Sequence, residues 1–243
     1  MEKSITPYSD QQGSKKKQVI KMFDGISYNY DFLNRMVSLG IDIKWRKRVV
    51  QILIDKKPNR ILDIATGTGD LALELVKTKA SKIIGLDISP GMLYIGKEKV
   101  NSLKLNQTID MVIGDSEALI YDNNSFDAVT VAFGVRNFEN LSLGLSEIFR
   151  VLKSGGTLVI LETAVPTKFP FKLGYILHTQ VLIPLMGKLF TKDRQAYKYL
   201  SDSAAVFPHG KQFNNILEKI GFIEVEDNPQ TLGVASIYCA SKP

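Results

Sequence analysis

The sequence has a single cysteine, Cys239, which excludes an internal disulfide and a zinc site built on cysteines. Cys239 reads as a small residue in the last strand. An apolar signal core is missing as well. The first residues, M-E-K-S-I-T-P-Y-S-D-Q-Q-G-S-K-K-K, are polar, so the expected location is the cytoplasm. The apolar stretch at residues 169–190 is broken by Lys172, His178, Gln180, Pro184 and Lys188, which argues against a membrane span. There is no internal repeat. Charge is not balanced: the formal net charge of +6 permits contact with nucleic acid or anionic lipid but demonstrates neither. At 243 residues the chain fits one α/β domain with an elaboration and can bury a substantial core.

What is present centres on residues 61–70, I-L-D-I-A-T-G-T-G-D, followed by I-I-G-L-D ending at Asp87. Apolar residues lead into Asp63, Gly67 and Gly69 follow, and Leu71 opens a helical run. That is strand, glycine turn, helix. The glycines allow a sharp turn and close approach of a ligand, and the helix start offers free N–H groups. Asp87, twenty residues past Gly67, ends a second apolar run, where a carboxylate can accept from two ribose hydroxyls. These features describe a pocket for an adenosine-containing cofactor. The third glycine of a dinucleotide fingerprint is absent, because position 72 is Ala72. Asp63, Asp87 and Asp115 each follow an apolar strand-like run, which suits a positively charged cofactor better than a pyrophosphate.

The chain resembles the class I S-adenosylmethionine-dependent methyltransferases, and among them the demethylmenaquinone/ubiquinone C-methyltransferase family. The resemblance runs from Val19 to Thr163. It rests on Tyr30-Asp31-Phe32-Leu33-Asn34 with Ser38, Gly40, Trp45 and Arg46, and on L-D-I-A-T-G-T-G-D, L-D-I-S-P-G-M-L, G-D-S-E-A-L, F-D-A-V-T-V-A-F-G-V-R-N-F and R-V-L-K-S-G-G. It implies S-adenosylmethionine as methyl donor and no metal. Gly67, Thr68 and Gly69 would receive the amino-acid part of the cofactor, Asp63 would orient their loop, and Asp87 would hold the ribose. Asp115 and Ser116 would sit by the adenine, with Ile88 and Ala132 completing the cofactor set. Arg136 and Asn137 would face the substrate, with Tyr30, Asp31 and Asn34 as lid or ring-contact residues. The implied reaction is methylation of a ring carbon of a polyprenylated quinol, demethylmenaquinol to menaquinol. A ubiquinone-pathway benzoquinol is the alternative acceptor. Contact with the inner face of the cell membrane and a homodimer are left open. The family commonly has His-Arg where this chain has Asp42-Ile43, so no role carries over there.

The expected architecture is a doubly wound, seven-stranded, mostly parallel Rossmann-like sheet. Expected strands are 61–64, 82–87, 109–113, 126–133 and 157–162, with helices at 71–77, 92–100 and 141–152. Lys153-Ser154-Gly155-Gly156 is expected to turn the last of these helices into its strand, and closing strands are expected at 222–226 and 232–240. As domains, residues 1–18 read as a mobile tail, 19–55 as a helical lid, and 60–162 as the cofactor core. Residues 163–208 read as a substrate cap or membrane-facing insert, and 209–243 as a closing helix and strands. The apolar insert reads equally as a pair of core helices. Lys15-Lys16-Lys17 reads as a solvated helix start. Tyr28, Tyr30, Phe32 and Leu33 suit either core packing or a lid over a flat ring.

Methyl transfer from a sulfonium needs alignment and exclusion of water, not a covalent nucleophile. On the acceptor side, Arg136 follows the fourth strand and could stabilise a phenolate, or form a surface salt bridge. His178 is a weaker candidate for taking a proton. Other enzyme readings fare worse. A nicotinamide dehydrogenase would want Tyr-x-x-x-Lys on a helix, but the spacing occurs only at Tyr238–Lys242, in the terminal strand. A nucleic-acid methyltransferase acting on base amines would want prolines in the turn after the fourth strand, and Phe133-Gly134-Val135-Arg136-Asn137 has none. A purely binding or membrane-docking module would leave Arg136 without a role.

Overall fold

The computed structural model describes residues 5–8, 12–166, 169 and 193–243. Most of the expected insert, including His178, lies outside the described residues. Two helices lead: α1 (Lys15–Val37), capped by Ser14 accepting from the Lys17 N–H, and α2 (Ile41–Ile54). Then come β1 (Arg60–Ile64), α3 (Asp70–Leu75), β2 (Lys82–Asp87), α4 (Pro90–Ser102), β3 (Ile109–Ile113), β4 (Phe126–Ala132), α5 (Leu141–Val151) and β5 (Leu152–Thr163). The chain closes with α6 (Arg194–Val206), α7 (Lys211–Ile220), β6 (Ile223–Gln230) and β7 (Ala235–Ser241).

The seven strands form one sheet in the order β3-β2-β1-β4-β5-β7-β6. β1 to β5 run parallel, and β7 is antiparallel to both β5 and β6. The parallel strands are nearly continuous apolar runs because both faces are covered. On one face Leu62, Ile64, Val129 and Ile160 meet Leu145 and Ile148 of α5 and Phe213 and Leu217 of α7. On the other, Ile61, Ile83 and Val159 meet Val49 and Leu53 of α2 and Leu71 and Leu75 of α3. Strand order reverses between β2-β1 and β4, so the carboxyl ends of β1, β2 and β4 open a cleft at the switch point.

Several expectations need correction. The Gly155-Gly156 pair does not turn helix into strand: it is a kink inside β5, with a register shift against β4 between Phe126 and Ala128. Gly155 takes φ +72, where side-chain-bearing residues are strained, and its N–H donates to the Lys242 carbonyl, so the strand bends without leaving the sheet. The first closing strand is longer than its apolar pattern and runs to Gln230. Phe133 lies just past β4 at φ +57, where the chain turns into the Arg136 segment. Lys15, Lys16 and Lys17 are all helical, and the first two are anchored to the core, as described next.

Candidate active site

Asp63 on β1 is the floor of the site. It is 1% exposed and accepts from the hydroxyls of Thr66 and Thr130, both at 2.6 Å. Burial pushes its carboxyl up to about 6, against the pull of those two hydroxyls. Thr66 opens the glycine loop, so Asp63 pins the loop from below. Ala65 and Gly67 carry positive φ of 52° and 58°. Gly69 (φ 82°) is the N-cap of α3. Gly134 lies against this turn: a Cβ there would come 2.5 Å from that of Ala65.

Asp87, at the end of β2, accepts from the Gly67 N–H at 2.8 Å and the Ser89 N–H at 2.9 Å. Burial raises its pKa, and these N–H groups oppose the rise. Asp115, two residues past β3, accepts from the Glu117 N–H at 2.9 Å and from Lys16 Nζ at 2.7 Å. Lys16 also reaches Glu117 at 3.2 Å, while Lys15 donates to the carbonyls of Arg136 at 3.0 Å and Phe138 at 2.7 Å. Lys15 and Lys16 are therefore a clasp that holds α1 over the strand ends, and only Lys17 is left exposed as expected of a solvated start. Nothing in the local sequence signals this, because the partners lie about a hundred residues away.

Between the strand ends and α1 is a cleft whose space, open mouth included, comes to about 680 Å³. Gly67, Asp87, Ile88, Asp115, Ser116 and Ala132, expected on the cofactor side, line it; so do Tyr30 and Asn137, which were expected to face the substrate. Asp63 and Gly69 do not line it, and act from behind the loop. Thr68 points elsewhere: its hydroxyl donates to Asp31 at 2.6 Å and accepts from Lys99 at 3.1 Å. Asp31 is thus not a ring contact but a tie between α1 and the glycine loop, reinforced by Lys99 at 2.6 Å. A deep cleft with a strand-end carboxylate, an open glycine backbone and apolar walls fits S-adenosylmethionine.

A second cleft, of about 930 Å³, adjoins the first and shares Tyr30 and Phe133 as walls. Asn34, Trp45, Arg136, Thr163, Tyr197 and Leu200 line it from five separate segments. Arg136 is not a surface ion pair. Its side chain is 8% exposed and pairs with the fully buried Glu162, while Nη1 also donates to the Phe133 carbonyl at 2.9 Å. Burial works against the arginine's charge, but Glu162, Tyr30 and Tyr199 together outweigh it, so the guanidinium is held above its ordinary range. Asn137 accepts from the Tyr199 hydroxyl at 3.1 Å. Burial raises the phenols of Tyr30 and Tyr199, the latter to about 12. Of the aromatic set on α1, Leu33 is core, Tyr30 is the shared wall, and Tyr28 and Phe32 face solvent.

Asp42 also lines this cleft. It accepts from Arg35, from Arg46 at 2.5 Å and from the Ser38 hydroxyl at 2.7 Å. Arg35 continues to Asp70 at 2.6 Å, and Lys99 meets Asp70 at 2.7 Å. Sequence reading missed this network, and Glu162 with it. Among the described residues no group of three or more His, Cys, Asp or Glu could hold a metal ion.

Sheet order, strand-end carboxylates and the adjoining clefts together define a class I S-adenosylmethionine-dependent methyltransferase. The fold is similar to that of a SAM-dependent methyltransferase from Thermotoga maritima, with TM-score 0.64 at 18% identity, covering 92% of this chain and 99% of that one. It is also similar to the [4+2]-cyclase SpnF, with TM-score 0.60 at 19% identity, covering 94% and 97%. Likeness at these identities speaks for the fold alone. Residues 11–242 match the ubiE/COQ5 methyltransferase family, and the chain belongs to it. It is 44% identical to the demethylmenaquinone methyltransferase of Bacteroides fragilis over 242 residues, 99% of this chain and 98% of that one. It is 40% identical to the ubiquinone/menaquinone biosynthesis C-methyltransferase UbiE of Geobacter sulfurreducens over 230 residues, covering 94% and 90%. The chain is an S-adenosylmethionine-dependent C-methyltransferase, as its motifs implied.

Proposed function

We propose that the chain methylates a ring carbon of a polyprenylated naphthoquinol, converting demethylmenaquinol to menaquinol. The observation that carries this reading is the meeting of two unlike clefts at Tyr30 and Phe133. One is ringed by strand-end carboxylates and suits a cationic cofactor. The other is largely aromatic, is lined by the buried arginines Arg136 and Arg46, and suits a flat ring with an ionisable hydroxyl. The names of the family relatives support the same acceptor.

When bound, S-adenosylmethionine supplies an activated methyl group. Asp87 holds the ribose, Asp115 and Ser116 meet the adenine, and Ile88 and Ala132 wall the cleft. The Gly67–Gly69 backbone takes the amino-acid end. Asp115 keeps acceptor capacity beside Lys16 and Glu117, since a carboxylate oxygen accepts more than once. Arg136 stabilises negative charge on the ring oxygen, which makes the adjacent carbon nucleophilic. Tyr30 and Phe133 fix the ring at the shared wall, Asn137 faces it from the cofactor side, and α1 keeps water out.

The protein works at the inner membrane face as a peripheral protein and a homodimer. Among the described residues no helix is long and apolar enough to cross a membrane. The test is transfer of labelled methyl to chemically reduced, short-tailed demethylmenaquinone in detergent, with the product identified by mass. Methylated naphthoquinol is the expected product. Absence of product from a protein that binds the cofactor rejects this acceptor. A benzoquinol, suggested by the name of the Geobacter relative, is then tested in the same assay.

A further inference from the structure

We propose that the Tyr197 hydroxyl on α6 holds a ring oxygen of the acceptor by a hydrogen bond, making Tyr197 a binding and specificity residue of the second cleft; this rests on the quinol reading above. Tyr197 is 5% exposed and lines that cleft. Its hydroxyl is buried and has no hydrogen-bond partner among the described residues. The three other tyrosines buried to a similar degree all have one. Tyr8 donates to Asp193, Tyr199 donates to Asn137 at 3.1 Å, and the Tyr238 hydroxyl accepts from the Gly210 N–H at 2.9 Å.

Position on the helix accounts for the difference. Tyr197, Leu200, Ser201 and Ala204 recur at steps of three and four residues, so they share one face of α6, and all four line the cleft. Tyr199 is off that face and meets the turn after β4 through Asn137. Around its ring, Tyr197 belongs to an apolar cluster that includes Leu33 of α1 and Met92 of α4. Those side chains offer nothing for a hydroxyl to bond, and the acceptor cleft is what remains beside it.

A buried hydroxyl without a partner is costly, so its partner is sought in what the cleft receives. Burial lifts the Tyr197 phenol well above its ordinary range, and Tyr30 and Asp193 add to the rise, so the proton stays on and the group donates. Tyr30, the wall common to both clefts, stands electrostatically close to Tyr197 and to Arg136. The two donors differ in kind. The guanidinium carries a full charge and favours an ionised oxygen, whereas a neutral phenol serves a ring oxygen in any state. Tyr197 therefore acts on binding and orientation of the ring more than on the charge that develops in it. A ring without an oxygen at that place would seal the hydroxyl from water and leave it unpaired, which is how such a contact selects.

The test uses Tyr197→Phe in the full chain, which deletes one hydroxyl and keeps the packed ring. Because no protein group uses that hydroxyl, the variant should melt at or above the wild-type temperature. Trp45, the single tryptophan, lines the acceptor cleft and reports ring binding by fluorescence without any methyl transfer. The probes are short-tailed reduced demethylmenaquinone and a naphthalene with the same tail and no ring oxygen. Tyr197→Phe should bind the quinol about 5- to 20-fold more weakly and the oxygen-free ring as wild type does. In turnover, KM for the quinol should rise by a similar factor, with a smaller change in kcat and none in KM for the cofactor. A variant that melts below wild type or fails to fold shows that the hydroxyl serves the protein itself, and overturns the proposal. Unchanged quinol affinity, or an equal loss for both rings, overturns it as well. A wild-type protein that binds cofactor but neither binds nor methylates the quinol removes the quinol reading, and this inference with it.

Discussion

Asp63→Asn is expected to make the protein more stable and a poorer binder of its cofactor, in a pH-dependent way that follows from burial. The unfolded chain titrates this carboxyl near 3.8, and the folded protein at about 6. Between those values the folded state binds more protons than the unfolded one. Stability from this group is therefore fully present below about 3.8 and is lost as pH rises through about 6. Above that the charged, buried Asp63 costs a constant amount. The rise from 3.8 to about 6 is about two pH units, which at about 1.4 kcal/mol each is about 3 kcal/mol. Asparagine has no charge to bury. It can donate to one threonine hydroxyl and accept from the other, because Thr66 and Thr130 both rotate to suit. At about 2–4 °C per kcal/mol for a chain of this size, the variant should melt about 6–12 °C above wild type at pH 8. The gap should close as the pH falls towards 4. Thermal unfolding followed by circular dichroism across that range gives the curve. An offset that does not change with pH, or a variant less stable than wild type at pH 8, refutes the burial argument. Calorimetry with S-adenosylmethionine completes the experiment: the variant should bind more weakly, since it gives up a negative charge beneath a cationic ligand. Costly buried charges of this kind concentrate at functional sites.

Three further outcomes follow from named contacts. Asp87→Ala should weaken cofactor binding by about 1.5–3 kcal/mol, the scale of charge-assisted hydrogen bonds, and calorimetry showing unchanged affinity would remove Asp87 from the site. Gly134→Ala should destabilise by about 1–3 kcal/mol, because its Cβ would meet that of Ala65 at 2.5 Å and push on the glycine loop; denaturant melts measure it. Asp42→Ala should cost about 3–5 kcal/mol, because it strips the nearly buried Arg46 of its close partner and leaves Asp70 at 3.8 Å. The same variant should raise KM for the acceptor more than for the cofactor, since Asp42 lines only the second cleft.

The cofactor cleft was legible in the sequence because its geometry is local. A strand, a glycine turn and a helix occupy residues 60–75 without interruption, and the strand-end Asp87 is placed beside them by the parallel register of β1 and β2. Thr68 was legible only in its backbone for the same reason. Its backbone belongs to the loop, but its side chain answers to Asp31 on α1, far away in sequence. Gly155-Gly156 was misjudged because a glycine pair announces a bend, not whether the sheet hydrogen bonds continue through it.

The acceptor cleft was legible only in part, and the reason is its assembly. Tyr30 and Asn34 come from α1, Trp45 from α2, Arg136 from the turn after β4, and Tyr197 from α6. No spacing rule spans such segments; only the tertiary fold brings them together. Glu162 is the sharpest case. In the sequence it is merely the residue after an apolar strand, yet in the fold it is the buried partner of Arg136. Asp42 is similar. An acid would be costly in this buried setting without cations, and Arg35 and Arg46 supply them. Through Asp70 and Lys99 that compensation extends to Asp31 and Thr68 of the cofactor side. The charge network thus ties α1 to the glycine loop beneath one cleft while Asp42 forms the wall of the other. Occupancy of either cleft must act on the same helix, and ordering α1 around the cofactor also shapes the wall that receives the ring.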